Sequence, residues 1–469
     1  MTMNSFALLE SIVKESPFLA SWLEPMCALL TQAAQIADAF CSDQQEGLGH
    51  LEANLQKPLA ALKAQLLERA AQRKADQTPP QCPVCARKLT RRRKVTRTIH
   101  TLSGDIQVTR TLGWCSKCKK WFCPGDQAMG VESGYSPAVQ EVAALFASKM
   151  PLSEASKVIE HVLGIKLPPT TLDRVAKQAA DKARQKRRQA DEQARLGIMN
   201  AQSRPAAPAT LVIMMDAWNI RERDDFGRSA ALRKRGIEPQ RWHWVWTGTV
   251  FGLEQRTAKN ERPIIAHRGY VATREGMDSF VGQLHAEALR HGLGRAQRIL
   301  VMGDGGLWIW NIARDRFKEA AQRIDLYHVK QHLWTLAREL HADPVQQGLW
   351  VRAMKNRLKK GQTANVIGEL QEAIQALCPA RQEIARKELN YFEEHQTRMT
   401  YAEAEKLREP SGTGAMESTC RQYQCRFKRP GQFWSQQGDE GLLCLDTFWR
   451  NGRWNLLFPS SKIIDPSKN

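Results

Sequence analysis

Four of the eleven cysteines fall in two pairs of identical spacing, Cys82-Pro-Val-Cys85 and Cys115-Ser-Lys-Cys118. A turn with two intervening residues aims two thiolates at one point, and two such turns supply the closed tetrahedral sulfur shell of a structural Zn2+. One zinc ion is expected here, with Cys123 a spare thiol. An odd number of cysteines, four of them in metal-type spacing, suits a reducing compartment better than a disulfide framework. A second kind of chemistry is suggested by two acids. Asp216 closes the apolar run Leu211-Val-Ile-Met-Met, and Asp304 closes Arg298-Ile-Leu-Val-Met-Gly. Such runs read as strands buried on both faces. One Asp after a strand is commonly a turn or helix cap, whereas two delivered to the same sheet edge can share divalent metal.

The elements that must position these groups follow from pattern. Between the cysteine pairs, VTRTIHTLSGDIQVTRTLGW alternates β-branched and polar residues around Ser-Gly-Asp, which predicts a hairpin and hence a zinc ribbon. Between the knuckles, Arg87 to Arg97 carries seven basic residues, Arg87, Lys88, Arg91, Arg92, Arg93, Lys94 and Arg97, and no acid, a density on a small ribbon that suits phosphate contact. Around the acids, further strands are expected at Trp242–Phe251 and Pro263–Val271, a helix at Met277–His291, a helix through Leu307, Ile309 and Trp310, and a fifth strand at Ile324–His328. The order βββαβαβ is that of an RNase H-like mixed sheet, in which acids on the first and fourth strands are neighbours.

Upstream of the sheet, leucines from Leu48 to Leu66 recur at helical spacing, with Pro58 expected to start, kink or break a helix. The polar stretch from Arg69 to Gln81 reads as a linker. Residues 137 to 183 read as three short helices. The second carries Ala155, Val158, Ile159, Val162 and Leu163 behind a Ser153 cap and ends at Gly164. A turn with Thr caps, Lys166 to Thr171, leads to the third, with Leu172, Val175, Ala176 and Ala179 inward and Arg174, Lys177 and Lys182 outward. This is the layout of a helix-turn-helix with a basic recognition helix. The basic run Lys182–Arg188 and the tract 202–208 mark an expected boundary. Sixty-nine Lys and Arg against 49 Asp and Glu give a formal charge of +20 and predict a polyanionic partner. The first 25 residues read as neither signal peptide nor transmembrane span, so a cytoplasmic, nucleoid-associated protein without membrane partners is expected.

Four stretches carry a resemblance: CPVC with CSKC, ILVMGDGGLWIWN, DLYHVKQHLW and SGTGAMESTCRQ. They resemble bacterial insertion-sequence transposases of the ISKra type, within the DDE superfamily, over most of residues 80 to 458. The resemblance implies cleavage and strand transfer at the ends of a mobile element, with double-stranded DNA as partner and a homo-oligomer assembled on it. It places the catalytic, metal-holding acids at Asp216, Asp304 and Glu417, with Asp325 and His328 as a supporting pair. Gly306 stands where the family usually has Ala, and Thr413 and Met416 vary its glycine-rich segment. Three acids suit two Mg2+ (Mn2+ could substitute) held about 4 Å apart with positions open for nucleophile and phosphate. Glu417 competes with two other acids, Asp325 and Glu409. The chain from Asp304 to Glu417 far exceeds the ~30–40 residues that a helix, a strand and a connection need, so a helical insertion is expected, with Val366, Leu370, Ala373, Ile374 and Leu377 on one face of Thr363–Leu377. His328 and His332 are not a zinc-protease pair, because Val329 occupies the position of the required Glu. Trp308, Trp310, Trp434, Trp449 and Trp454 are expected in cores rather than against bases.

The expected organisation is a multidomain α/β chain: a helical region over 1–70, a zinc ribbon over 80–126, a helix-turn-helix region over 135–195, an RNase H-like core over 208–343 and 411–469, and the helical insertion over 344–410. A non-catalytic DNA-binding repressor or domesticated relative, and an endonuclease without strand transfer, are the alternatives.

Overall fold

The computed structural model describes residues 14, 23–42, 47–198, 207–223, 228–238, 241–257 and 263–459. Nearly all of the first 22 residues, most of the tract 202–208 and the tail after 459 lie outside the described residues. The chain divides into two compact units, 1–143 with 152–175, and 144–151 with 176–469. The result is mixed α/β: a four-cysteine antiparallel hairpin near the N-terminus and a five-stranded mixed sheet flanked by helices.

In the first unit, helices α1 (Leu23–Ser42) and α2 (Leu48–Gln77) precede the strands β1 (Thr90–Thr101), β2 (Gly104–Cys115) and β3 (Lys120–Phe122). The expected hairpin forms in register, Thr101 opposite Gly104, and Gly104 at φ +118° takes a conformation closed to other residues. Pro58 neither starts nor breaks α2 but lies buried inside it. The stretch read as a linker from Arg69 is also helical, through Gln77. Its alanines explain why: Ala64, Ala71 and Ala75 pack on Ile99, Ile106 and Val108 of the hairpin. Polar side chains on the same helix then pair with β2, the Gln72 amide exchanging two 2.8 Å hydrogen bonds with the Thr109 backbone and Glu68 accepting from the Gln107 N–H at 2.9 Å.

A short helix α3 (Pro124–Ala128) leads to α4 (Pro137–Lys149), α5 (Leu152–Leu163) and α6 (Pro169–Arg195). Gly164 ends α5 at φ +68°, and Leu172, Val175, Ala176 and Ala179 are buried as expected. Ser153 lies inside α5 instead of capping it. Thr170 and Thr171 lie inside α6, whose first turn is opened by Pro169, a residue with no N–H to leave unsatisfied. The third helix is not short: it begins in the first unit and runs in the second through the basic stretch read as a boundary. Within the second unit, buried Arg187 explains this continuation, donating to Glu440 at 2.9 Å and Glu275 at 3.0 Å.

The second unit is built on β4 (Thr210–Arg221), β5 (Trp242–Thr257), β6 (Pro263–Thr273), β7 (Arg298–Gly303) and β8 (Ala321–Ile324), with the short helix α7 (Ser229–Lys234) between β4 and β5. The sheet order is β6-β5-β4-β7-β8. The pairs β6–β5 and β5–β4 are antiparallel, and β4–β7 and β7–β8 parallel. Leu211, Ile213 and Met215 face a core with Phe280 and Leu284 of α8 (Met277–Arg290) and Ile309 of α9 (Leu307–Arg316). The opposite face receives α15, described below. The fifth strand ends at Ile324, earlier than expected, because Asp325 caps the helix α10 (Leu326–Leu340), its carboxylate accepting from the His328 N–H.

The expected insertion is helical: α11 (Pro344–Lys359), α12 (Thr363–Gln375), α13 (Pro379–Glu394) and α14 (Tyr401–Leu407). Val366, Leu370 and Ile374 are buried, and their cluster is continuous with the sheet's core. The helices α15 (Gly414–Phe427) and α16 (Gln436–Arg450) complete the unit. Among the described residues, no helix is long and apolar enough to cross a membrane.

Candidate metal sites

The four Sγ atoms of Cys82, Cys85, Cys115 and Cys118 lie within 4.8 Å of one another. Cys85 and Cys115 are 3.5 Å apart, and Cys82 and Cys118 3.8 Å. A tetrahedral ion with Zn–S bonds of ~2.3 Å separates its sulfurs by ~3.8 Å, so the donor set fits zinc. Both knuckles close alike: the Ala86 N–H donates to the Cys82 carbonyl, the Lys119 N–H to the Cys115 carbonyl, and Ala86 and Lys119 adopt φ of 59° and 53°. The Cys118 N–H also points at the Cys115 sulfur and lowers that thiol's pKa, favouring a thiolate before any metal arrives. Cys123 stands outside this cluster.

On the ribbon, Arg91, Arg92 and Arg93 are exposed, Arg93 lying over the ring of exposed Trp121. Lys94 pairs with Asp76 at 3.2 Å, and Arg97 with Asp126 at 3.3 Å. Arg174, Lys177 and Lys182 are exposed on α6.

The carboxylates are brought together by the sheet. Met214 on β4 pairs with Met302 on parallel β7, and two residues farther along the two strands lead to Asp216 and Asp304. Each acid is half-buried. Asp216, expected to end its strand, lies instead within β4, which runs on to Arg221 against β5, and its Oδ1 accepts from the Ala217 N–H at 2.7 Å; Asp304 lies in the turn after β7, its Oδ1 accepting from the Gly306 N–H at 3.0 Å. Burial pushes the Asp216 pKa up, and the Asp304 charge adds to the rise. Exposed Glu417 sits in the first turn of α15. That helix is fastened beside Asp216 by Cys420, one turn beyond Glu417, whose buried thiol lies 3.4 Å from Asp216 Oδ2. The fields of Asp304 and Glu417 both act on His328 and help to raise its pKa, after the dominant hydrogen bond that its ring donates to Asp325. The charges of Asp304 and Glu417 thus both reach His328, and that of Asp304 reaches Asp216, but the three acids do not crowd together as the thiols do. Among the described residues, the four cysteines are the only His, Cys, Asp or Glu group with ligand atoms gathered so tightly.

Asp325 is buried with both oxygens engaged. Oδ1 accepts from the Thr413 N–H at 2.9 Å, while Oδ2 accepts from the His328 N–H at 3.1 Å and from its Nδ1 at 2.6 Å. It therefore ties the segment before α15 to the start of α10. Gly412 keeps this approach close, since a Cβ there would stand 3.0 Å from Asp325 Oδ1 and press on it. Glu409, the other competing acid, is buried between Arg298 at 2.7 Å and Arg323 at 2.9 Å, a structural pair. His332 binds Glu388 and stacks on Tyr391 with 3.6 Å between ring centroids.

Sequence reasoning missed the wall that the insertion builds. Tyr391 of α13 donates its hydroxyl to the Asp304 carbonyl at 3.1 Å, and Gly305, at φ +115°, leaves only 2.9 Å between Tyr391 and a would-be Cβ. No local pattern reveals this contact. Cys420 was more accessible, since it lies three residues from Glu417 on one helix. The departure at Gly306 also has a neighbour: a Cβ there would meet Trp308 Nε1 at 2.8 Å. Trp310 and Trp454 are buried, and Trp308, Trp434 and Trp449 partly so, as expected.

No curated protein matches the chain. Residues 253–455, a stretch that takes in Asp304, Asp325, His328 and Glu417 but neither Asp216 nor the four cysteines, match the family model described as Uncharacterised protein family (UPF0236).

Proposed function

We propose that this chain is a DDE-type DNA transposase, with an RNase H-like core that cuts the ends of a mobile DNA element and joins them to target DNA. The observation that carries the reading is the placement of Asp216, within β4, and Asp304, just after β7, each two residues beyond Met214 and Met302, the last pair of the parallel β4–β7 ladder. The sheet order, with its antiparallel first three strands, agrees with the RNase H-like arrangement expected from the sequence. Glu417 would complete the set, held near Asp216 through Cys420.

Three carboxylates form a hard oxygen donor set that suits Mg2+ or Mn2+ better than it suits zinc. When bound, such ions supply Lewis-acid stabilisation of phosphate charge and an acidified water or 3'-hydroxyl. Asp216, Asp304 and Glu417 would hold them. Their spacing, looser than that of the thiols, fits ions bound together with substrate phosphate. Asp325 positions the α15 segment and raises the His328 pKa, which favours a cationic ring beside the acids where a phosphate would lie. The zinc ribbon with Arg91, Arg92 and Arg93, and α5 with α6 read as a helix-turn-helix, would bind the element's ends through phosphate contacts. Lys94 and Arg97 would contribute less, being already paired. Assembly as a homo-oligomer on DNA in the bacterial cytoplasm is part of the same proposal.

The test is a supercoiled plasmid carrying the element's ends, incubated with Mg2+. Nicking and joining are expected from the wild type and from neither Asp216→Asn nor Asp304→Asn, with end binding retained in both. Cutting without joining would identify an endonuclease; binding without either would identify a repressor.

A further inference from the structure

Two large aromatic side chains stand open on the second unit. Trp242 and Trp244, at the start of β5, are 55% and 52% exposed. A tryptophan gains much from being covered, so two left half open at same-face positions form a surface suited to a partner. Strand alternation sets them ~6.8 Å apart, which leaves room for one planar ring between them.

The neighbours are cationic. Arg221 lies opposite Trp242 across the strand pair, its guanidinium 5.9 Å from that ring and 4.7 Å from Phe433. Arg223 lies 3.9 Å from Phe433. Phe433 is brought there by a third segment that pairs with the end of β4: the Arg223 N–H donates to the Trp434 carbonyl at 2.8 Å, and the Trp434 N–H to the Arg221 carbonyl at 3.2 Å. Arg228 and Lys234 are exposed between the two strands. Aromatic rings alternate with guanidinium groups across three chain segments, a composition that matches bases and phosphates together.

We propose that this face binds an unpaired DNA strand, with bases stacked on Trp242 and Trp244 and phosphates against Arg221 and Arg223. In a duplex the base faces are covered by their neighbours, so the rings select unpaired nucleotides. The proposal rests on the reading of DNA as substrate, and it places the strand on the sheet that carries Asp216. Thr247, the partner of Asp216, lies three residues along β5 from Trp244, ~10 Å away. Residues directly opposite one another share a face, so the two tryptophans lie on the reverse face from Asp216. The surface therefore suits the unpaired flank of a cleaved end and not the scissile phosphate.

The experiment is anisotropy of a labelled short oligodeoxythymidine, and separately of a blunt duplex, with the full zinc-loaded chain and no Mg2+. Trp242→Ala and Trp244→Ala should each weaken oligothymidine binding about tenfold, Trp242→Phe and Trp244→Phe should recover most of it, and duplex binding should stay unchanged. Thermal melts of the variants, both at exposed positions, should match the wild type. Unchanged oligothymidine binding, an equal loss on duplex, or a stronger tryptophan-dependent grip on oligouridine would overturn the proposal. A wild type that grips oligothymidine through these tryptophans yet neither cuts nor joins would uphold this surface and reject the catalytic reading.

Discussion

The ribbon and the carboxylate cluster are both candidate metal sites, and they are built in opposite ways. In the ribbon, two knuckles and one hairpin gather four soft donors within 4.8 Å of one another, and the surrounding core is small: Leu89 and Phe122 are the hydrophobic side chains packed on the thiols. The carboxylates come from β4, the turn after β7 and α15, and are held by a larger scaffold that includes the buried Arg298–Glu409–Arg323 group. A small core needs its metal in order to fold, whereas a scaffold that stands without metal can hold donors apart until substrate arrives. The first arrangement suits a structural ion, and the second suits the catalytic role proposed for it.

Zinc removal should have the largest effect. Structural zinc in small domains contributes ~10–16 kcal/mol of apparent binding free energy that is also folding free energy. Cys82→Ser, or chelation of the wild type, should therefore abolish ribbon order and high-affinity end binding while the five-stranded sheet keeps its melting transition. Metal analysis should find one zinc per chain in the wild type and none in the variant; a zinc-free wild type that still binds DNA would break the comparison.

At the second site, the loss should fall on chemistry and spare the fold. Exposed Glu417→Gln keeps side-chain size and helix, so melting should change by no more than the ~0.3–1 kcal/mol a first-turn carboxylate gains from the helix dipole. Mg2+-dependent nicking should nevertheless fall by orders of magnitude. Glu409→Gln reverses the pattern: breaking a buried ion pair costs ~3–5 kcal/mol, visible in melting, with the rate of the surviving folded fraction retained. Near-normal joining by Glu417→Gln would transfer the third role to another acid.

The same contrast governs what the sequence discloses. Cysteine spacing and the alternation around Gly104 are local, and the ribbon was legible from them, as were the strands leading to Asp216 and Asp304, whose apolar runs need no partner to be recognised. Elements whose partners are distant were misread. Residues 69–77 have a linker's composition because their apolar contact with the hairpin is made by Ala71 and Ala75 alone, and the basic run in α6 looks like a boundary until Arg187 meets Glu440. The Tyr391 contact with Asp304 joins groups far apart in sequence through the backbone carbonyl, which every residue carries and no pattern reports.

The smallest effect separates a metal ligand from a positioning residue, and Asp325 is the residue to use. Both its oxygens already accept from the Thr413 N–H, the His328 N–H and His328 Nδ1, so it has little left to offer an ion. Asp325→Asn must set an amide NH2 against one of these donors, which costs about 1–3 kcal/mol, and nicking should fall far less than in Glu417→Gln. The histidine supplies the discriminating readout. Asp325 raises the His328 pKa above its ordinary 6.5, against burial that lowers it, so the variant's His328 should titrate lower. A raised pKa in the folded state contributes stability fully below about pH 6.5 and loses it as pH rises through the raised value. The Asp325 pKa is held below 3.8: burial raises it, but the hydrogen bonds from His328 and Thr413 outweigh that, so the carboxylate keeps its contribution down to that range. The stability gap between wild type and Asp325→Asn should then be widest between about pH 4 and 6.5 and should narrow in alkaline buffer. NMR titration of the His328 ring, with melts on both sides of pH 6.5, measures both quantities. If His328 titrates identically in the two proteins, Asp325 is not what holds its proton, and a nicking defect as deep as that of Glu417→Gln would place Asp325 among the metal ligands.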